Sequence, residues 1–187
     1  MKKLLIVCLF SLLGASGIMA QNDDEMKKWM EYMTPGKEHQ EMADLSGEWT
    51  FETLMWMDPS AEPTKSQGTA TIDMLLDGRY QRMNAESMVM GMPYKGMGIT
   101  GFDNAKKTWQ SMWIDNMGTG IMFAEGTYDK DAGGIVFKGK SANPITGKDE
   151  EYKEIMKFKD NNNFKMEMYM VVNGKEYKSM EMIYTRK

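Results

Sequence analysis

From Ser46 to Arg186 the chain reads as short runs of alternating apolar and polar residues separated by turn dipeptides, and this pattern constrains the fold more than any other feature. In the first run Trp49, Phe51, Thr53, Met55 and Met57 alternate with Thr50, Glu52, Leu54 and Trp56. A period of two puts successive side chains on opposite faces and marks a strand. Asp58-Pro59 breaks that run. Further runs follow at 67–76, 80–90, 94–102, 107–116, 119–128, 135–141, 150–160, 163–172 and 176–186, with hairpin turns predicted at Asp77-Gly78, Asn161-Asn162 and Asn173-Gly174. The glycines of the fourth run, Gly96, Gly98 and Gly101, predict a bend or bulge that lets a sheet curl. About ten short strands joined mostly by hairpins predict an all-β protein: an antiparallel up-and-down sheet that closes into a barrel and so leaves no open edge.

The residues before Ser46 are of another kind. Lys2 and Lys3, an apolar run from Leu4 to Leu13, small residues and Ala20 form the pattern of a secretory signal peptide, with the mature chain expected to begin at Gln21. The apolar run is too short for a membrane-spanning helix, so no stable membrane anchor is expected. Asp23 to Met33 predicts a helix with Met26, Trp29, Met30 and Met33 at helical spacing, and Thr34-Pro35 predicts the N-cap and first residue of a second helix to Leu45. The expected organisation is a signal peptide over 1–20, an N-terminal helical segment over 21–45 and one barrel domain over 46–187.

Composition matters mainly by what it removes. The single cysteine, Cys8, lies in the signal peptide, so the mature chain has no disulfide, thiolate metal site or cysteine nucleophile. With His39 the only histidine, a multi-histidine metal site and a serine–histidine triad are not expected. No nucleophile with its base and no phosphate loop is visible, so an enzyme is not expected and no cofactor is implied. The net charge is −4 with the basic residues scattered, which argues against nucleic acid as a partner. Against this plain background the 23 methionines stand out.

On the later runs Phe164, Met166, Met168, Met170 and Val172 share one face, as do Met180, Met182 and Tyr184, and Tyr152, Met156 and Phe158. Methionine therefore marks the inner face, as core or as the adaptable lining of a ligand cavity. The same thioethers suit Cu(I) where several converge, and on a surface they would absorb oxidant.

Candidate site residues come from the polar side chains that share such faces. Trp109, Ser111, Trp113 and Asp115 lie on one face, placing a carboxylate beside two indoles, while Asn116 belongs either to that site or to a turn. Arg82, Glu86 and Glu154 sit among apolar neighbours, and a buried acid needs a partner, so Arg82 is expected to pair with one of these carboxylates, as a site or as a register-fixing ion pair. Tyr184 and Arg186 share a face of the last run, with Arg186 expected to reach water. His39 is a cap or packing residue, or a metal ligand only in company with methionines or carboxylates. The expected ligand-binding set is Trp109, Trp113, Asp115, Asn116, Arg82, Glu86, Met168 and Tyr184.

Several segments also carry a family resemblance. Thr34-Pro35-Gly36-Lys37-Glu38-His39, Leu45-Ser46-Gly47-Glu48-Trp49, Met57-Asp58-Pro59, Gly91-Met92-Pro93-Tyr94, Gly101-Phe102-Asp103-Asn104 and Trp113-Ile114-Asp115-Asn116-Met117 resemble the bacterial family catalogued as domain of unknown function 1579. Gly47-x-Trp49 also resembles the first strand of lipocalin-like, or calycin, barrels. The resemblance implies a calycin-like barrel of uncharacterised function and supplies neither a reaction nor site residues. Residue pattern and resemblance together lead to the expectation of an exported protein, periplasmic or secreted, that binds a small apolar or amphipathic ligand in a Met- and Trp-lined interior. The alternatives are a Met-rich Cu(I)-binding periplasmic protein and a structural or partner-binding domain.

Overall fold

The computed structural model describes residues 15–172 and 174–187. In chain order it holds helices α1 (Ala15–Met33) and α2 (Lys37–Ala43), then strands β1 (Gly47–Met55), β2 (Thr64–Leu75), β3 (Tyr80–Val89), β4 (Met92–Asp103), β5 (Thr108–Asp115), β6 (Met122–Asp129), β7 (Gly134–Ala142), β8 (Asp149–Asp160), β9 (Asn163–Val172) and β10 (Lys175–Arg186). Each strand pairs antiparallel with the next in sequence, and β1 pairs with β10 from Trp49–Arg186 to Met55–Met180, closing a ten-stranded up-and-down barrel. The alternation read from the sequence is the alternation of its wall.

α1 and the barrel are separate units, the second running from Pro35 to Lys187. In α1, Met26, Trp29, Met30 and Met33 are all exposed. The helix is continuous across Ala20 and Gln21, the expected cleavage point. Residues 1–14 of the expected signal peptide lie outside the described residues.

Three local expectations are corrected. The N-cap of α2 is Gly36, not Thr34, and the backbone N–H of Gly36 donates to Nδ1 of His39 at 3.0 Å. That bond makes His39 a capping residue, and burial lowers its pKa. The β2–β3 connection is a four-residue loop over 76–79 rather than a two-residue turn, with Leu76, Asp77 and Gly78 all at positive φ. The glycine-rich β4 is not bulged and pairs in unbroken register with β3 and β5. The register shifts fall instead at Lys178/Met180 and Phe158/Asp160.

One end of the barrel is packed shut. His39 and Met42 of α2 are buried, Gln81 Nε2 donates to the Met42 carbonyl at 2.8 Å, and Trp49 Nε1 donates to the Leu45 carbonyl at 2.9 Å. The ring of Phe102 meets His39 and Trp109 edge-on. Arg186 locks this end rather than reaching into water. It stands 4.4 Å from the Trp49 ring centroid and donates to the carbonyls of Asp44, Ser46 and Asn161 at 2.7 Å. Above the helix Trp49, Phe164, Tyr184 and Phe51 form a chain of aromatic contacts, with Phe164 and Tyr184 stacked at 4.2 Å. Each buried ring contributes roughly 1.5–3 kcal/mol, so the closed end concentrates the stability of the fold.

Candidate functional site: the barrel lumen

On the inward rows of β1, β5 and β9 burial declines from the closed end to the other, whereas on β8 it runs the opposite way, with Tyr152 buried and Phe158 at the closed end exposed. On β1 Trp49, Phe51 and Thr53 are buried and Met55 is half-buried; on β5 Trp109 is buried, while Ser111, Trp113 and Asp115 are half-buried; on β9 Phe164 is buried, while Met166, Met168 and Met170 are half-buried. Strand register makes these side chains face inward, and those that are half-buried keep part of their surface accessible. Met83 of β3, Met156 of β8 and Met180 of β10 face inward and are half-buried in the same way. The result is a methionine-lined interior, with Met83, Met156, Met166, Met168, Met170 and Met180 packed against the aromatic core and each retaining part of its surface.

Inward glycines make room within it. A Cβ on Gly96 would stand 2.2 Å from Cζ2 of Trp113, and one on Gly98 would stand 2.8 Å from Cε3 of the same ring. The indole of Trp113 therefore lies flat against the backbone of β4. Gly68 receives Phe51, Gly126 receives Phe137 and Gly139 receives Tyr152 with similarly close approaches. In each case a large ring lies along the wall on a neighbouring strand's glycine instead of crossing the lumen, the pairing known from aromatic rescue of strand glycines. The glycines read from sequence as a bend are floors for rings.

Near the mouth, Trp113 Nε1 donates to Tyr94 Oη at 3.0 Å and to Asp115 Oδ2 at 3.2 Å, and Tyr94 Oη makes a long 3.5 Å contact with the same carboxylate oxygen. Asp115 Oδ1 accepts from the backbone N–H groups of Met117 and Gly118 at 2.9 and 3.2 Å. The carboxylate beside an indole expected from sequence is thus present, and it also builds the turn after β5. Burial, with the Asp115 charge adding to it, pushes the Tyr94 phenol up to about 12, so the phenol stays protonated at neutral pH.

The other expected site residues divide. Trp109 sits in the closed end, 6% exposed, with Phe102 against it. Asn116 braces the β4–β5 edge, donating to the Pro93 carbonyl and accepting from the Lys95 N–H, each at 2.9 Å. It belongs to the turn. Arg82 and Glu86 are corrected, because the register puts both on the outer face: Arg82 pairs with Asp73 at 2.6 Å and Glu86 with Lys95 at 3.0 Å. Glu86 and Asn116 border a shallow outer groove with Asn84, Met97 and Ile114. Met168 faces inward opposite Glu154, and Tyr184 is buried with its hydroxyl 3.5 Å from Met182 Sδ and 3.9 Å from Met83 Sδ.

Of Arg82, Glu86 and Glu154, Glu154 alone faces inward, on β8 between Phe137 of β7 and Met168 of β9. It is half-buried in the wall. Burial pushes its carboxyl up to about 7. Burial foremost, and then the Glu154 charge, push the Tyr152 phenol up to about 12 and also raise Tyr184, which feels Tyr94 as well. Glu154, Tyr184 and Tyr94 are therefore electrostatic neighbours across the lumen. Among the described residues, no three His, Cys, Asp or Glu side chains group as a metal site.

The outer wall carries a separate ion network. Glu167, 4% exposed, accepts from Lys165 at 2.8 Å and Lys157 at 2.9 Å, with Lys178 at 3.6 Å and the Tyr169 hydroxyl at 3.3 Å. Burial raises its pKa, but the lysine hydrogen bonds and charges outweigh that and hold it at about 2.

In fold the chain is similar to the crystal structure of Rv2717c from M. tuberculosis, with a TM-score of 0.60 at 12% identity over 82% of this chain and 99% of that one. A redesigned β-barrel, b11L5F_LGL, is matched with a TM-score of 0.40 at 13% identity over 78% of this chain and 94% of that one. No curated protein sequence matches the chain. Residues 34–186 match the family described as "Protein of unknown function (DUF1579)". With α2 and all ten strands inside that match, the chain belongs to this family.

Proposed function

We propose that this is an exported binding protein that holds a small apolar or amphipathic molecule in the barrel lumen and performs no chemistry on it. The observation that carries the reading is the inward row of half-buried methionines, Met83, Met156, Met166, Met168, Met170 and Met180, between an aromatic closed end and a polar mouth. Apolar surface facing unfilled space costs free energy, about 25 cal/mol for each Å² that remains wetted, and a guest that covers it recovers that cost. Methionine suits the task because its unbranched, polarizable side chain repacks around guests of different shape. Trp113, Tyr94 and Asp115 supply donors and acceptors at the mouth for a polar head. Export is supported by Lys2, Lys3 and the apolar run from Leu4 to Leu13.

Native mass spectrometry of protein purified without detergent from its own host tests this reading. A discrete mass adduct that leaves on organic extraction is expected. Protein that emerges bare, and that takes up no medium-chain alcohol when one is added, refutes it.

A further inference from the structure

The lumen holds a carboxylate that the barrel itself leaves unmatched. Glu154 faces inward at the level of Phe137 and Met168. Among the described residues it has no hydrogen-bond or ion-pair partner, and burial is the sole influence on its ionisation. The mouth carboxylate, Asp115, is satisfied by Trp113 and by two backbone N–H groups. No cation answers Glu154 among the described residues. Register turns Lys65, Arg82, Lys95, Lys138, Lys140, Lys153, Lys157 and Lys165 outward, Arg186 is committed to carbonyls at the closed end, and Lys175, which shares the inward row, is exposed at the start of β10 with no ion pair to Glu154.

The polar and polarizable groups on the inward rows share one electrostatic character. The Tyr94, Tyr152 and Tyr184 oxygens accept hydrogen bonds, the Trp113 face is electron-rich, and the thioethers of Met156, Met166, Met168 and Met180 are polarizable and weakly accepting. A guest whose anionic head reached the level of Phe137 and Met168 would meet a carboxylate, the one inward-row lysine, Lys175, standing exposed at the start of β10. One with a protonated amine would find a charged hydrogen-bond acceptor with Phe137 on one side and Met168 on the other, and an apolar, methionine-rich interior for its chain.

We propose that the lumen is a site for cationic amphiphiles, an alkyl or aryl amine whose ammonium group pairs with Glu154. The proposal rests on the ligand-binding reading above and specifies its ligand class. A half-buried acid walled in by apolar side chains and without a partner is costly to ionise, and this one stands where a bound ammonium would complete it. Ionisation of Glu154 and binding of the amine are then linked, so the amine holds the carboxylate in its charged form.

Calorimetric titration with three probes of equal chain length, decylamine, decanol and decanoate, tests the proposal on the protein and on E154Q. The unaltered protein is expected to bind decylamine about tenfold or more tighter than decanol, and decanoate more weakly than either. In E154Q the amine advantage disappears while decanol binding persists, which also reports an intact lumen. M168L, which keeps the carboxylate, is expected to retain the amine preference. Equal affinity for amine and alcohol in the unaltered protein, or an amine preference that survives in E154Q, overturns this proposal and leaves the ligand-binding reading standing. Failure of all three probes to bind overturns both.

Discussion

Replacing Glu154 by glutamine is expected to stabilise the ligand-free protein at neutral and alkaline pH and to change little in acid. The carboxyl is pushed from an ordinary 4.5 up to about 7 by burial alone. Each tenfold change in proton affinity is worth about 1.4 kcal/mol, so ionising this group inside the barrel costs roughly 3 kcal/mol once the pH is above both values. The direction follows from which state holds the proton. Because the folded-state value lies above the unfolded one, the native protein binds more protons between about pH 4.5 and pH 7, and stability falls as pH rises through that window. Below it both states are protonated; above it the full cost is present. The side chain is half-buried and water can approach it, so roughly 3 kcal/mol is an upper value. In a domain of this size 1 kcal/mol moves Tm by about 2–4 °C, so E154Q should melt several degrees above the parent protein at about pH 8. Near pH 4 the two should coincide. Melting curves followed by circular dichroism at about pH 4, 6 and 8 are sufficient. A difference that stays constant with pH, or a variant less stable at about pH 8, would show that Glu154 is not an unmatched buried acid.

Two further expectations follow from particular contacts. In E167Q the cluster of Lys157, Lys165 and Lys178 loses its buried carboxylate; because the folded-state value of about 2 lies below the ordinary 4.5, the loss is expected to reach about 3 kcal/mol above pH 4.5 and to vanish as pH falls through about 2. Urea titrations across that range check it, and a pH-independent loss would contradict the assignment. In Gly98→Ala the added methyl would stand 2.8 Å from the Trp113 ring, so the indole must lift into the lumen at a cost of about 1–3 kcal/mol. A changed tryptophan emission together with weakened decanol binding is expected; unchanged emission and affinity would mean that the ring does not rest on this glycine.

How far the sequence disclosed the structure depended on whether a feature was local. The ten strands were legible because alternation and turn chemistry act within a few residues, and closure followed from the hairpin count. The direction in which β3 faces was not. Its inward row mixes Gln81 and Ser87 with Met83 and Ala85, and its outward row mixes Arg82 and Glu86 with Met88, so hydropathy favours neither side. Gln81 is inward because its amide reaches the Met42 carbonyl of α2, a contact across 39 residues that no local pattern reveals. Gly96 and Gly98 were conspicuous, but their partner ring belongs to another strand, and only the β4–β5 register shows it. Trp113 with Asp115 was legible because both stand on one strand face, two residues apart. Apolar neighbours on its strand make Glu154 a candidate for pairing with Arg82; the register that sends Arg82 outward is what leaves the acid alone.

The central claim is that the methionine-lined lumen is the binding site, and the most direct measurement is anomalous diffraction from crystals soaked in a brominated medium-chain alkanol. A bromine peak inside the barrel, among Met156, Met166, Met168 and Met180, is the result expected if these half-buried methionines repack around a guest. Bromine found only on the outer wall or α1, with the lumen occupied by the protein's own side chains, would contradict it.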